Sequence, residues 1–180
     1  MKNRLILLLF LSLSFSGSCL YADEVIVNFG GGKQHSTSQY NKIFGLDYSF
    51  YRKIRSHRQH FLLGVSVTRM TTDAATNKTV DAISLYPQIN LYPRRQSWGQ
   101  PFFFVRALGP SYISSNQLGA RKQEHNFAFQ AQVGFGAYLN YKDKRDGIIT
   151  LSFKHFSNAN IFNDNEGFDF PIVLSAGIRF

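Results

Sequence analysis

The chain is poor in cysteine and in long apolar runs. Its 180 residues contain one cysteine, Cys19, which rules out a framework of intramolecular disulfides. Beyond residue 15, no apolar run approaches the roughly 20 residues that a membrane-spanning helix needs. The sequence therefore excludes both a disulfide-stapled domain and a bundle of membrane helices.

The apolar run before residue 15 belongs to an amino terminus with the layout of a secretory signal peptide. A basic start precedes this run, the run is too short to span a membrane, and small residues follow it. We predict that residues 1–22 form the signal peptide and that residues 23–180 form one exported domain. Lipidation of Cys19 is the alternative, but Ser16 stands where a lipoprotein cleavage box needs an aliphatic residue.

Acidic residues are scarce as well. The chain has 11 Asp and Glu against 20 Lys and Arg, which gives a formal net charge of +9. Basic charge can bind nucleic acid, but an exported chain rarely meets it, so we expect no nucleic-acid partner. Anionic lipid headgroups are the more suitable counterpart for this charge.

Aromatic residues are abundant and occur in alternating segments. Eighteen Phe and nine Tyr accompany a slightly negative mean hydropathy, a combination typical of outer-membrane barrels, whose strands alternate lipid-facing and lumen-facing residues. Turn residues separate eight such segments. The predicted strands cover approximately residues 24–32, 41–54, 59–70, 80–92, 101–114, 124–141, 149–157 and 170–180.

The pattern of these segments favours a membrane barrel over a soluble β fold. The number of strands is even, the termini fall on the same side, and the last residue is Phe180, as is usual for bacterial outer-membrane barrels. A lipocalin-like barrel or a β-sandwich would bury the apolar stripes. The opposite faces, however, carry Gly, Ser, Gln and Asn, which suit a narrow lumen. We predict an all-β, eight-stranded antiparallel transmembrane β-barrel in the outer membrane, surrounded by its lipid.

Three local expectations accompany this prediction. Pro87 lies within the fourth strand and predicts an irregularity, because proline cannot donate to a strand ladder. Tyr86, Tyr92 and Trp98 surround the next turn and suggest an interfacial aromatic girdle. In the last strand, Phe170 is placed on the lipid-facing side with every second residue that follows it.

A histidine and a serine stand side by side near the end of the seventh strand. Alternation places His155 and Ser157 on the same face as the apolar side chains before them, which is the lipid-facing side. A polar pair that faces hydrocarbon is costly for a passive barrel but suits an enzyme whose substrate is a lipid. Asp169 follows after a loop rich in Asn and Gly, and serine, histidine and carboxylate are the parts of a nucleophilic hydrolase.

This segment resembles a known enzyme family. The sequences HFSNA at residues 155–159 and NEGFD at residues 165–169 are similar to the active-site segment of the lipid A 3-O-deacylases. Members of that family are eight-stranded outer-membrane esterases that remove the 3-hydroxyacyl chain at position 3 of lipid A. The resemblance therefore implies lipid A, the anchor of lipopolysaccharide, as the substrate.

The resemblance also implies roles for individual residues. Ser157 would be the nucleophile and His155 the general base. Asn158 would be an oxyanion-hole donor, through its side chain or its backbone. Asn165 and Gly167 would shape the loop that brings the acid and the oxyanion stabilisers into place.

The acid departs from the family pattern. The family uses a glutamate, whereas the matching residue here is Asp169, which is one methylene shorter. Its carboxylate reaches Nδ1 of His155 only if the backbone lies about 1.5 Å nearer. Aspartate is common in such triads, so we assign Asp169 as the acid, with Glu166 or Asp164 as alternatives if the loop register differs.

Three rival functions remain compatible with the predicted barrel. A non-enzymatic barrel for adhesion or membrane stability would have long external loops and no use for a lipid-facing His-x-Ser pair. A small porin is disfavoured, because side chains fill the interior of an eight-stranded barrel. Another lipid acyl hydrolase or an acyltransferase would share the chemistry, and the sequence does not reveal regioselectivity.

The predicted chemistry requires no cofactor and no metal. The other histidines lack the spacing of metal ligands, namely His35, His57, His60 and His125. Several basic residues are candidates for contacts with lipid A phosphates, namely Lys33, Lys78, Arg121, Lys122 and Lys154. Alternation directs Lys154 into the lumen. The sequence leaves the formation of a homodimer open.

Overall fold

The chain forms a closed barrel of eight antiparallel strands in the computed structural model, which describes residues 24–140 and 146–180. The predicted signal peptide and Cys19 lie outside these residues. No helix within the two ranges is long and apolar enough to cross a membrane. The strands are β1 (Glu24–Lys33), β2 (Tyr40–Ser56), β3 (Gln59–Thr72), β4 (Thr79–Leu91), β5 (Gly99–Ile113), β6 (Gln117–Leu118), β7 (Arg121–Lys122), β8 (Phe127–Asn140), β9 (Asp146–Ser157) and β10 (Phe168–Arg179).

Neighbouring barrel strands follow one another along the chain, with one interruption. β5 pairs with β8, and the short strands β6 and β7 form a separate hairpin in the connection between them. β10 pairs with β1 and closes the barrel, so the backbone groups of both edge strands are paired. The predicted eight-stranded barrel is confirmed. The β6–β7 hairpin was not predicted, because strands of two residues carry no alternation.

Alternation along each strand sorts side chains between the outer surface and the lumen. On β2, Phe44 and Leu46 face outward and are 62% and 50% exposed. The next residue on the same strand, Asp47, faces inward and is fully buried. The outward residues of the other strands are likewise large and apolar, as a lipid-facing surface requires. They include Val27, Phe29, Val67, Leu85, Ile89, Val105, Val133, Phe135, Leu151, Phe153, Ile172 and Leu174.

The lumen is filled with side chains in three layers. An apolar cluster occupies the half of the lumen near the connections 34–39, 73–78, 114–126 and 158–167, which we call the loop end; it includes Met70, Ile113, Phe156, Phe168 and Phe170. A second cluster occupies the opposite half, which we call the turn end; it includes Ile26, Tyr92, Phe102 and Tyr138. Polar residues lie between them, where Arg106 pairs with Asp47.

This filling leaves no passage of solute size in the described part of the lumen. The cavity beside Asn28, Phe104 and Arg106 has a volume of about 10 Å³, close to the minimum for one water molecule. A porin-like channel is therefore not compatible with the packing of these residues.

Two local expectations about side-chain direction were wrong. Tyr86 and Tyr92 point into the lumen and are buried, so of the three girdle candidates only Trp98 is exposed. Phe170 is also buried in the lumen rather than exposed to lipid. A shift in the β9–β10 register between Phe170 and Val173 reverses the alternation at this point.

The irregularity expected at Pro87 is confirmed. The β4–β5 register shifts between Ser84 and Gln88, so Pro87 lies where the ladder is interrupted and its missing N–H has no partner to lose. The β5–β8 register shifts over the same stretch of β5, between Arg106 and Gly109, and this extra residue on β5 accounts for the weak alternation of that strand.

The triple glycine at the end of β1 is a close-packed strand end. A Cβ on Gly30 would lie 2.8 Å from the Cα of Val173 on β10, and a Cβ on Gly32 would lie 2.9 Å from the ring of Pro171. The absence of side chains therefore lets β1 approach the irregular start of β10. This approach places the residue after β1, Gln34, beside the predicted acid.

Candidate active site

The predicted nucleophile and base lie on the outward face of β9 at its loop end. His155 and Ser157 are partly exposed, and Phe156 between them is buried in the lumen, so the predicted alternation is correct here. The imidazole of His155 lies parallel to the ring of Phe153, with the ring centroids 6.3 Å apart. Across β8, the neighbour of His155 is Ala131, whose small side chain leaves the ring open on that side.

The structure brings Asp169 to His155. The two residues are direct partners in the β9–β10 pair, and His155 Nδ1 lies 2.7 Å from Asp169 Oδ1. Directly opposed residues have Cβ atoms about 5 Å apart, so a short carboxylate side chain is sufficient. The side chains are 29% and 15% exposed, which leaves the pair accessible from outside the barrel.

Ser157 is not hydrogen-bonded to His155 in the described structure. The two residues are separated by one residue on the same strand face, which places their Cα atoms about 7 Å apart. A serine hydroxyl and the far nitrogen of an imidazole can approach each other across this distance by rotating about χ1. Hydrogen bonds between catalytic groups are often long without substrate and tighten in the substrate complex.

A glutamine and an asparagine that sequence reasoning missed hold the acid in place. Gln34 Nε2 donates to Asp169 Oδ2 at 2.5 Å, and its Oε1 accepts from the Asp169 backbone N–H at 2.9 Å. Asn41 Nδ2 donates to Gln34 Oε1 at 2.6 Å and fixes the amide orientation. Gln34 and Asp169 are 135 positions apart, so no local spacing could have linked them.

Gly167 makes room for the imidazole. A Cβ at this position would lie 2.8 Å from Nε2 of His155 and closer still to Cε1. The Gly167 carbonyl accepts a hydrogen bond from Gln34 Nε2 at 3.1 Å, which ties the loop to the same glutamine. The predicted importance of Gly167 for loop shape therefore has a steric basis.

Asn158 and Asn165 organise the loop between β9 and β10. The backbone N–H of Asn158 donates to Gln123 Oε1 and to Asn165 Oδ1, both at 3.0 Å, and its side-chain Nδ2 donates to the Asp164 carbonyl at 2.7 Å. The Asn158 side chain is buried, on the side of the strand opposite to Ser157. The Asn158 backbone N–H can act as an oxyanion donor only if substrate displaces one of its two acceptors.

A tight turn follows Ser157 directly. The Ile161 N–H donates to the Asn158 carbonyl at 3.1 Å, and both central residues, Ala159 and Asn160, have positive φ angles of 56° and 60°. Two central residues with positive φ characterise the type I′ turn. Left-handed backbone is unfavourable for alanine, so strain is concentrated beside the predicted nucleophile.

The two alternative acids have other partners. Glu166 Oε2 accepts from the Lys122 backbone N–H at 2.9 Å, and Asp164 forms an ion pair with Lys122 Nζ at 3.0 Å. This ion pair raises the pKa of the exposed Lys122 ammonium through its hydrogen bond with the Asp164 carboxylate. Neither carboxylate contacts His155, so the loop register selects Asp169.

The paired histidine and carboxylate line an open cleft on the barrel surface. The cleft has a volume of about 580 Å³, and its walls include Phe153, Pro171 and Gly167. Its loop-end rim is basic, with Lys33, His35 and Arg121 among the lining residues. Lys154, in contrast, is buried in the lumen as predicted and donates to Thr68 Oγ1 at 3.3 Å.

Fold and site together define an eight-stranded outer-membrane barrel with a hydrolase-like group of side chains on its outer surface. Comparison with known proteins gives the family: the lipid A 3-O-deacylase (PagL) family model matches residues 42–178. The chain therefore belongs to this family of carboxylic ester hydrolases and is a protein of the outer membrane.

A solved structure supports the assignment of the fold. The crystal structure of the outer membrane enzyme PagL aligns with a TM-score of 0.64 and covers 87% of this chain and 99% of its own. The two sequences are 15% identical, so this likeness concerns the fold alone. No curated protein matches the chain.

Proposed function

We propose that this protein hydrolyses the ester that links a 3-hydroxyacyl chain to position 3 of lipid A, with Ser157 as nucleophile, His155 as general base and Asp169 as the orienting acid. The observation that supports this assignment is the 2.7 Å contact between His155 Nδ1 and Asp169 Oδ1 on the outward face of the barrel. A polar pair in this place is accessible to a lipid that diffuses in the surrounding leaflet.

The first step is attack by the Ser157 hydroxyl on the ester carbonyl. With Nδ1 of His155 engaged by Asp169, Nε2 is the nitrogen that accepts the Ser157 proton. The carboxylate stabilises the imidazolium that forms and keeps the ring in the productive orientation. The protonated imidazole then returns the proton to the leaving sugar hydroxyl.

The second step is hydrolysis of the acyl-enzyme. Water loses a proton to Nε2 of His155 and attacks the acyl carbonyl, which releases a free 3-hydroxy fatty acid and restores Ser157. Each tetrahedral intermediate carries an oxyanion that needs preorganised donors. Asn158 is the predicted candidate, once substrate replaces one of the present acceptors of its backbone N–H.

The cleft matches an amphiphilic substrate with phosphate groups. Its lower wall, at Phe153 and Pro171, continues the apolar surface of the barrel, where acyl chains lie. Its rim carries Lys33 and Arg121, whose charge suits the phosphates of the lipid A headgroup. The ester bonds of lipid A lie between headgroup and chains, and His155 lines the same cleft as the basic rim and the apolar wall.

Mass spectrometry of lipid A from a Gram-negative host that expresses the chain tests this proposal. We expect the wild-type protein to remove one 3-hydroxyacyl group, located at position 3 by fragmentation, and the Ser157→Ala variant to leave lipid A unchanged. The Ser115→Ala variant is the matched control, because Ser115 lies in the connection between β5 and β8 and should not affect activity.

Folding must be verified for each variant through the heat-dependent electrophoretic migration of barrels. An unchanged lipid A profile with folded wild-type protein in the outer membrane would refute the proposed activity. If the Ser157→Ala variant still removes an acyl chain, the proposed activity is supported but Ser157 is not the nucleophile.

A further inference from the structure

The charged residues of the barrel are distributed unequally between its two ends. The loop end carries six basic and six acidic residues, namely Lys33, Lys42, Arg69, Lys78, Arg121 and Lys122 against Asp73, Asp81, Glu124, Asp164, Glu166 and Asp169. The described part of the turn end carries seven basic residues and two acidic ones, namely Arg52, Lys53, Arg55, Arg58, Arg94, Arg95 and Arg179 against Glu24 and Asp146. The positive charge therefore accumulates at the end away from the site.

Several charged residues at both ends form ion pairs, which leave the net charge of each end unchanged. At the loop end, Arg69 forms a two-point ion pair with Asp81 at 2.7 and 2.9 Å, and Lys122 pairs with Asp164. At the turn end, both carboxylates have partners in or near the lumen: Glu24 accepts from the Tyr138 hydroxyl, and Asp146 pairs with Arg179. Among the described residues, the exposed side chains of Arg55, Arg58 and Arg94 form no ion pair with a carboxylate.

The turn end faces the periplasm. Outer-membrane barrels have short periplasmic turns and longer external loops. Here β2 and β3 are joined by two residues, 57–58, whereas ten residues join β9 to β10 at the opposite end. The basic end therefore meets the inner leaflet of the outer membrane, whose lipids are glycerophospholipids.

An apolar groove opens on the lipid-facing surface beside this basic end. It has a volume of about 490 Å³, and its walls include Leu91, Pro93, Phe103 and Phe135. The rings of Phe103 and Phe135 have centroids 5.2 Å apart, and Gly136 also lines the groove.

Arg58 lies at the edge of this groove. The Arg58 carbonyl accepts a hydrogen bond from the Tyr92 backbone N–H at 2.9 Å, which joins the β2–β3 turn to the β4–β5 connection. This bond fixes the Arg58 backbone beside the groove, which the residue lines. Arg94, also exposed, follows Pro93 in the same connection.

We propose that this groove is a binding site for an anionic glycerophospholipid of the inner leaflet, with an acyl chain against Leu91, Phe103 and Phe135 and the phosphate at Arg58. An apolar groove that ends at a guanidinium complements an acyl chain that ends at a phosphate. We expect the guanidinium in direct contact with the phosphate to contribute about a fivefold increase in binding. This site is separate from the proposed hydrolysis and does not depend on it.

The tryptophan of the chain offers a direct test. Trp98 is unique in the sequence, is exposed, and lies between Arg95 and Pro101 at the turn end. We would reconstitute the protein in phosphatidylcholine bilayers that contain a minor fraction of lipid brominated in its acyl chains. The quenching of Trp98 fluorescence by brominated phosphatidylglycerol is then compared with quenching by the same fraction of brominated phosphatidylcholine.

We expect phosphatidylglycerol to quench more strongly in the wild-type protein and this preference to fall about fivefold in Arg58→Gln. Arg58→Lys keeps the charge and should retain most of the preference. Arg55→Gln is the matched control, because Arg55 lies in the same turn region but does not line the groove. Equal quenching by both lipids in the wild type, or an equal loss in Arg55→Gln, would overturn the proposed site.

Discussion

Asp169 reaches His155 because the two residues face each other across β9 and β10. A directly opposed pair needs only a short side chain, so an aspartate is long enough to reach the imidazole from this position. Gln34 engages the second carboxylate oxygen and the backbone of the same residue. Three hydrogen bonds therefore fix the proposed acid: one with His155 and two with Gln34. The length of the aspartate side chain suits this position.

The first prediction concerns the length and charge of the acid. Asp169→Asn should lower kcat for lipid A by roughly 10²- to 10⁴-fold, because an amide neither stabilises the imidazolium nor selects the required tautomer. Asp169→Glu should keep the charge but displace Gln34, so we expect its kcat to lie between those of the wild type and Asp169→Asn. Rates of fatty acid release in mixed micelles measure both effects. Equal activity in Asp169→Asn and wild type would exclude Asp169 as the acid.

The second prediction concerns Gly167. Gly167→Ala places a methyl group against the His155 ring, which must then leave its position beside Asp169, so kcat should fall at least tenfold with little change in stability. Gly147→Ala is the control, since a Cβ there would meet nothing closer than Leu139 Cβ at 3.8 Å. If both glycine variants retain full activity, the ring position is less constrained than the structure indicates.

The third prediction concerns Gln34 as a positioning residue. Gln34→Ala removes two hydrogen bonds from Asp169, and we expect a decrease in kcat of about tenfold with KM nearly unchanged, because substrate binding does not use this amide. Gln117→Ala, in the β6–β7 hairpin, should alter neither constant. A rise in KM alone in Gln34→Ala would contradict a role through Asp169.

The residues of the site differ in how far sequence could reveal them. The proposed catalytic residues His155, Ser157 and Asp169 lie in one segment, where strand alternation and family resemblance suggested them, and the structure shows the contact between His155 and Asp169. Gln34 and Asn41 come from the opposite end of the chain, and their residue types are common in barrel interiors. Only the closure of β1 against β10 brings them to the acid, so these two residues could not be predicted from local patterns.

Strands and turns were predictable to different degrees. Alternation of apolar and polar residues located all eight barrel strands within a few residues of their ends. The same pattern did not reveal the register shifts. One extra residue in a strand moves the side chains that follow it to the opposite face, and the amino-acid composition of the strand does not show this. Phe170 was assigned to the wrong face for this reason.

The turn after Ser157 provides the fourth prediction. Ala159 has a φ of 56°, and glycine adopts such angles without penalty, so Ala159→Gly should increase the free energy of unfolding by about 1 kcal/mol. Ala137→Gly, within β8, should decrease it by about 1 kcal/mol, since glycine weakens a strand interior. Urea unfolding of the refolded barrel measures both. A decrease in Ala159→Gly would mean that the methyl group makes a stabilising contact.

The whole barrel depends on a charged layer in its lumen. Arg106 pairs with Asp47, donates to Gln88 Oε1 at 2.5 Å, and stacks over the Tyr86 ring at 3.8 Å from its centroid. Both members of the ion pair are fully enclosed, so each is the main compensation for the buried charge of the other. Composition indicated a filled lumen, but the pairing across non-adjacent strands appears only in the closed barrel.

The fifth prediction is that this ion pair is strongly coupled. Arg106→Leu or Asp47→Leu alone should lower the free energy of unfolding by about 3–5 kcal/mol, because each variant leaves one uncompensated charge in the lumen. The double variant should cost clearly less than the sum of the two, and equilibrium unfolding of all four proteins gives the coupling energy. Additive effects would show that the lumen hydrates each charge independently.

The outward direction of His155 and Ser157 has a kinetic consequence for the whole molecule. Substrate does not arrive from solution but travels sideways within a two-dimensional sheet, so the relevant concentration is the mole fraction of lipid A in the leaflet. Diluting lipid A with inert amphiphile at constant bulk concentration should slow turnover, a behaviour known as surface dilution. We therefore expect the turnover rate of this barrel to depend on the lipid composition of the membrane around it.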